Sequence, residues 1–221
     1  MEGDGKNMIQ IEDLHFFSQE REILKGIDIS FEKGKVHGII GDNGSGKTVL
    51  LKCISGILNP TSGCIRIDGK LLGKDMEYYE DLRFFIDGPG YISYYSGYKN
   101  LALLAAIKNR ISKEDVKDSL REVGLDPEDK RPVRKYSLGM KQRLGLAQVY
   151  MENPKLMILD EPMNSLDRSG VELMRQILLK RKEQGVTILI SSHNEEDISI
   201  LCDRIYEMED GRLRDLSPLQ Q

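Results

Sequence analysis

Gly41-Asp42-Asn43-Gly44-Ser45-Gly46-Lys47-Thr48 reads as a G-x-x-x-x-G-K-[ST] loop, set between an apolar run at residues 36–40 and a helix-like run at residues 49–57. Glycines let such a loop curl until successive backbone N–H groups face one centre, and the helix that follows turns the positive end of its dipole toward the same point. Lys47 is long enough to reach the β- and γ-phosphates of a nucleoside triphosphate, and the Thr48 hydroxyl can hold Mg²⁺. Asp42, Asn43, Gly44, Ser45, Gly46, Lys47, Thr48 and Val49 are therefore the expected nucleotide-binding residues.

Working outward, the chain alternates between strand and helix patterns. Residues 9–16 and 27–31 read as strands around a polar turn at 18–22, and the strand at 36–40 leads into the loop. After the helix come a Pro60-Thr61-Ser62-Gly63 turn, a short strand at 64–67 and a tight turn at Asp68-Gly69. Residues 100–110, 113–123 and 138–151 carry apolar residues at three- and four-residue spacing, with no strand pattern among them. Strands at 156–159 and 187–190, separated by an amphipathic helix over 169–184, return the chain to a mostly parallel sheet, and a last hairpin turns at Asp210-Gly211. The expected fold is an α/β P-loop NTPase of RecA-like type. Its core, residues 1–88 and 154–221, includes N-terminal antiparallel strands, and residues 89–153 form an inserted helical subdomain.

Composition narrows the classes. The 221 residues suffice for one α/β domain with an insertion. With 32 basic and 36 acidic residues spread along the chain, a formal charge of −4 gives no support to a nucleic-acid-binding tail or a basic membrane helix. Cys53, Cys64 and Cys202 are odd in number and far apart, which fits reduced thiols rather than a disulfide framework or a zinc site. Met1-Glu2-Gly3-Asp4-Gly5 lacks the basic and apolar regions of a signal peptide, and no window approaches the roughly 18 apolar residues of a membrane span. A cytoplasmic protein is expected, with any membrane role borrowed from a partner.

A second constellation is Leu156-Met157-Ile158-Leu159-Asp160-Glu161-Pro162. An apolar strand ending in two acids puts both carboxylates at the carboxyl edge of a parallel sheet, where open α/β folds bind ligands. Asp160 can join the metal shell, and Glu161, on the other side of the pleat, can polarise a water for attack on a γ-phosphate.

Between these segments lies Tyr136-Ser137-Leu138-Gly139-Met140-Lys141-Gln142-Arg143. With it the chain resembles, almost end to end and in motif order, the nucleotide-binding subunit of an ABC transporter. Ser137 and Gly139 fall on the family's Leu-Ser-Gly-Gly-Gln signature, while Tyr136, Leu138 and Met140 depart from it in the manner of bacterial exporters of peptide antibiotics and lipids. The resemblance implies ATP as substrate with Mg²⁺. It implies a transmembrane permease partner that would hold the chain at the inner face of the cell membrane. It also implies a head-to-tail dimer, in which Ser137 and Gly139 serve a nucleotide on a second subunit and Asn164-Ser165-Leu166-Asp167 crosses the interface. His193 matches the switch histidine that can hydrogen-bond the γ-phosphate and hold the water and Glu161 in line. Asp87 stands where most members have a Gln that reaches Mg²⁺, and a carboxylate there can bind the metal too. For the aromatic that stacks on adenine, Phe17 is chosen over Phe16, since strand alternation points only one of them outward. His15 and His37 match nothing catalytic and are read as structural.

Four tyrosines, Tyr91, Tyr94, Tyr95 and Tyr98, crowd into one short segment, either as a contact surface for the permease or as locally packed rings. Two other classes compete with the transporter ATPase. A soluble ABC-type ATPase usually carries paired nucleotide-binding domains or further insertions, and neither is present. A GTPase would use Asp87 to Gly90 as D-x-x-G, but the chain has no Asn-Lys-x-Asp guanine reader.

Overall fold

The structure is a computed structural model that describes residues 6–88 and 90–216; residues 1–5, read above for the lack of a signal peptide, Pro89, where the helical subdomain was expected to begin, and residues 217–221 lie outside it. In chain order the elements are β1 (Asn7–Ser18), β2 (Arg21–Glu32), β3 (Val36–Ile40), α1 (Lys47–Ile54), β4 (Ser62–Ile67), β5 (Lys70–Leu71) and β6 (Leu82–Phe85). They continue with α2 (Gly97–Lys108), α3 (Lys113–Glu122), α4 (Leu138–Tyr150), β7 (Leu156–Asp160), α5 (Arg168–Glu183), β8 (Thr187–Ser191), α6 (Glu195–Leu201), β9 (Arg204–Glu209) and β10 (Arg212–Asp215). A six-stranded sheet runs β10-β9-β3-β8-β7-β6 and a four-stranded one β2-β1-β4-β5. From β9 to β6 every neighbouring pair is parallel, whereas β10 and all pairs of the smaller sheet are antiparallel.

The parallel strands are short apolar runs because both faces are covered. On β7, Met157 and Leu159 enter a core shared with α2 to α5, while Leu156 and Ile158 enter a second core, toward α1 and the smaller sheet. On β8, Ile188 and Ile190 take the first side and Leu189 the second. This is the two-residue period of a strand with both sides filled, and each such side chain contributes about 1.5–3 kcal/mol by leaving water. The two sheets meet where Lys25 N–H donates to Gly211 O at 2.9 Å. Their other ends are β5, two residues long, and β6, four residues long.

Several boundaries differ from the sequence expectation. Strands β1 and β2 run to twelve residues each, pairing as far as Ser18 opposite Arg21, with register shifts along the ladder that absorb the polar interruptions. Helix α1 ends at Ile54 rather than residue 57, because Gly56 turns the chain through a left-handed φ of 78°. Helix α2 begins earlier than expected, at Gly97, where the Ser96 hydroxyl accepts from Lys99 N–H. Helix α6 was not expected; it has seven residues, three of them acids in the first turn. Between β6 and β7 the described residues form helices, turns and irregular segments, with no strand among them.

Among the histidines, His15 is ion-paired with Glu22 and Asp13, which hold its pKa above the ordinary value. His37 is fully buried on β3. Its Nε2–H donates to Glu32 O at 2.9 Å and its Nδ1 accepts from the Tyr206 hydroxyl at 3.3 Å, so the neutral ring satisfies both. Burial lowers its pKa against the pull of Glu32 and Asp203. A His with a depressed folded pKa favours the folded state above its unfolded pKa of about 6.5 and withdraws that contribution as pH falls below it; His15, shifted the other way, works in the opposite sense. The difference in unfolding free energy between pH 7.5 and 5.5, measured by urea denaturation, is therefore expected to be smaller in His37→Phe than in the wild type. An equal difference in both proteins would remove His37 as the cause.

Candidate nucleotide and active site

The phosphate loop follows β3 and is shaped by contacts that only small residues allow. A Cβ at Gly41 would stand 2.2 Å from Met208 O, and the residue has a φ of 142°, a conformation that glycine adopts without steric cost. Ser45 O accepts from Gly211 N–H at 3.0 Å, which fastens the loop to the β9–β10 turn. The Lys47 ammonium folds over the loop and donates to Gly41 O at 2.5 Å and Asp42 O at 2.9 Å. An anion entering the loop can take over those donors at little cost, because the ammonium is already aimed across it.

Strands β3, β8 and β7 are neighbours, so their carboxyl ends deliver the loop, Ser191 and the acids to one place. Thr48 Oγ1 donates to Asp160 Oδ2 at 2.7 Å, joining α1 to β7. The Ser191 hydroxyl donates to the other carboxylate oxygen, Oδ1, at 2.5 Å. Glu161 sits just past the strand with a left-handed φ of 49°, a conformation that costs a non-glycine residue about 1–3 kcal/mol and persists only where its surroundings impose it. Its N–H is shared between Ser191 O at 3.2 Å and Ser191 Oγ at 2.9 Å. The turn throws the Glu161 carboxylate outward, where Oε2 lies 2.8 Å from His193 Nδ1. A cleft of about 350 Å³ is lined by Asn43, Gly44, Gly46, Lys47, Thr48, Val49, Asp160 and Glu161, together with Arg21 and Ile23 of β2. Arg21 and Ile23 belong to no motif, and sheet packing alone brings them here.

The hard oxygen donors of Thr48 and Asp160 suit Mg²⁺. No group of three or more acids, cysteines or histidines that could hold a metal occurs among the described residues.

Other expected site residues lie elsewhere. Phe17 is 44% exposed, with its N–H on Thr61 Oγ1, while Phe16 packs against the second core; Phe17 does not line the cleft. Asp87, at a φ of 57°, is ion-paired with Lys52 of α1 at 2.5 Å and borders a different cavity, beside Phe85, Tyr91 and Gln142. Ser137 caps α4, accepting from Met140 N–H at 3.2 Å, and with Gly139, Arg131, Arg143 and Asp167 it lines a third cavity of about 710 Å³. Helix α4 is also tied to the turn after Glu161. Gln142 Nε2 donates to Pro162 O at 2.8 Å, Arg143 pairs with Asp167 at 2.9 Å, and a Cβ at Gly139 would stand 3.1 Å from Ser165 O. Of the four clustered tyrosines, Tyr94 is 74% exposed, Tyr95 lies under the Lys99 ammonium, and Tyr91 and Tyr98 pack against the first core. The free thiols of Cys53 and Cys202 are pushed up to about 12 by burial, which leaves them protonated at neutral pH.

Comparison with known proteins supports one family. The family model described as ABC transporter matches residues 24–164. An uncharacterized ABC transporter ATP-binding protein of Bacillus subtilis, YybJ, is 42% identical over 93% of this chain and 94% of its own length. The lantibiotic transport ATP-binding protein SrtF of Streptococcus pyogenes is 37% identical, covering 93% of this chain and 89% of itself. Among solved structures, cbiO1 from Clostridium perfringens, part of the ABC transporter complex cbiONQ, superposes with a TM-score of 0.79 at 30% identity, over 95% of this chain and 87% of that one. With the loop, the paired acids and the signature helix in family order along the same fold, this chain belongs to the ABC transporter family as one of its ATP-binding proteins.

Proposed function

We propose that the chain is the ATP-hydrolysing motor of a bacterial exporter, working at the inner face of the cell membrane through a separate permease. The observation that carries this reading is the unbroken hydrogen-bonded path from Thr48 through Asp160, Ser191 and Glu161 to His193 at the mouth of the phosphate loop. It supplies a phosphate cradle, a cation seat and a base within one wall. No helix among the described residues is long and apolar enough to cross a membrane, so the reading gives the span to a partner.

On this reading the loop N–H groups and Lys47 hold the β- and γ-phosphates, with Lys47 exchanging the Gly41 and Asp42 carbonyls for phosphate oxygens. Thr48 and Asp160 hold Mg²⁺, which when bound neutralises charge on those oxygens. Asp87 joins this group only after giving up Lys52. Glu161 accepts the proton of the attacking water, and His193 keeps the Glu161 carboxylate in line. Phe17 offers its exposed ring to adenine. Ser137 and Gly139 open onto a cavity separate from their own loop, and that separation supports their serving the nucleotide of a second subunit. The exposed ring of Tyr94 and its neighbour Tyr95 are assigned to the permease contact. The likeness to SrtF supports a peptide-antibiotic export partner.

Lys47→Ala is expected to weaken ATP binding about 10- to 100-fold, the loss of charge-assisted bonds to phosphate; unchanged affinity by isothermal titration would contradict the cradle. Glu161→Gln should accumulate an ATP-bound dimer on size exclusion and, tagged and purified from solubilised membranes with Mg-ATP, should bring down a multi-span membrane protein. Recovery of a dimer alone would move the reading to a soluble ABC-type ATPase. Replacing Tyr94 and Tyr95 together by Ala should reduce that recovery while leaving ATP binding intact, and undiminished recovery would return both rings to local packing.

A further inference from the structure

Ser191 lies outside the Asp160-Glu161 motif, yet its hydroxyl touches both residues. It ends β8 directly opposite Asp160 in the parallel register and is fully buried. A hydroxyl has one proton and two lone pairs. The proton goes to Asp160 Oδ1 at 2.5 Å, so the 2.9 Å contact with Glu161 N–H is made through a lone pair. One hydroxyl therefore fixes the rotation of one carboxylate and the backbone of the next residue, and the two bonds reinforce each other in the same polarity.

The consequences for the two acids differ. Asp160 has a hydroxyl donor on each oxygen, Thr48 on Oδ2 and Ser191 on Oδ1, so its plane is set from both sides. Without Ser191 the carboxylate keeps only the Thr48 bond and is free to rotate about it. Glu161 would keep the longer bond to Ser191 O, at 3.2 Å, but lose the shorter one that holds its left-handed turn. That turn is what carries the Glu161 carboxylate to His193.

We infer that Ser191 is a positioning residue that orients Asp160 toward a divalent cation and Glu161 toward the reacting water through a single buried hydroxyl. The inference rests on the proposed nucleotide site, and its test separates the two. Two pairs of variants isolate the hydroxyl at matched shape: Ser191 against Ser191→Ala, and Ser191→Thr against Ser191→Val. Mn²⁺ binding to the ADP complex, read by electron paramagnetic resonance, should be about tenfold weaker in the member of each pair lacking the hydroxyl, the usual scale for losing a partner of a metal ligand. Over the same pairs kcat for ATP should fall about tenfold, with metal-free binding of a fluorescent ADP analogue unchanged within twofold.

Equal Mn²⁺ affinity within both pairs would overturn the inference, as would a parallel loss of metal-free nucleotide binding, which marks general damage to the site. Should the wild type bind Mn²⁺ and ADP but hydrolyse no ATP, the motor reading fails while the Mn²⁺ ratios still decide the role of Ser191.

Discussion

The Asp160 carboxylate is the joint on which the site turns. It accepts one hydroxyl proton from Thr48 on the loop helix and one from Ser191 on the neighbouring strand, so three elements far apart in sequence are pinned by four atoms. Buried or half-buried carboxylates hold their place only where their oxygens are satisfied. Here the satisfaction comes from Thr48 and Ser191, the groups to which the proposed reading gives work at a phosphate site, so on that reading structural order and chemical readiness have one origin. Loosening the joint would release the loop helix and the turn at Glu161 together.

The parallel sheet makes this joint available. Because β3, β8 and β7 are adjacent and run the same way, their carboxyl ends present the loop, Ser191 and the two acids at one rim, the place where open α/β sheets gather ligands. Close approach completes it, since Gly41 leaves room for the Met208 carbonyl where any Cβ would collide. Behind the rim, α4 is fastened to the segment after Glu161 by Gln142 and Arg143, so the helix carrying Ser137 and the turn carrying the acid are mechanically one piece.

Much of this was legible in the chain itself, for reasons that are local. The loop announces itself through glycines and Lys47-Thr48, and the acids through an apolar run that stops abruptly at Asp160. What escaped was whatever depends on tertiary company. Helix α6 is short and acidic, and its Asp197 is satisfied by Arg175 of α5 in a buried pair that no sequence window contains. The Lys52 partner of Asp87 lies 35 residues away on another element, and a reading of family position gave Asp87 to the metal without that competitor. Arg21 and Ile23 reach the cleft because β2 runs alongside it, and Ser191 matters through a cross-strand register that only the folded sheet defines. The helix was expected to run to residue 57, and it ends at residue 54 because Gly56, one residue before that expected stop, takes a left-handed conformation.

The ends of the two sheets have a consequence of their own. The edge of β2 meets the β10 turn, and the remaining ends are strands of two and four residues, with Arg83 of β6 drawn to Glu152. Short, charged edges are poor templates for adding a strand from another molecule. Crowded copies of this protein are thereby steered away from ribbon-like aggregation, and any association is left to parts of the surface other than strand edges. A contact built from those parts can be made and broken repeatedly, since parting it ruptures no backbone ladder.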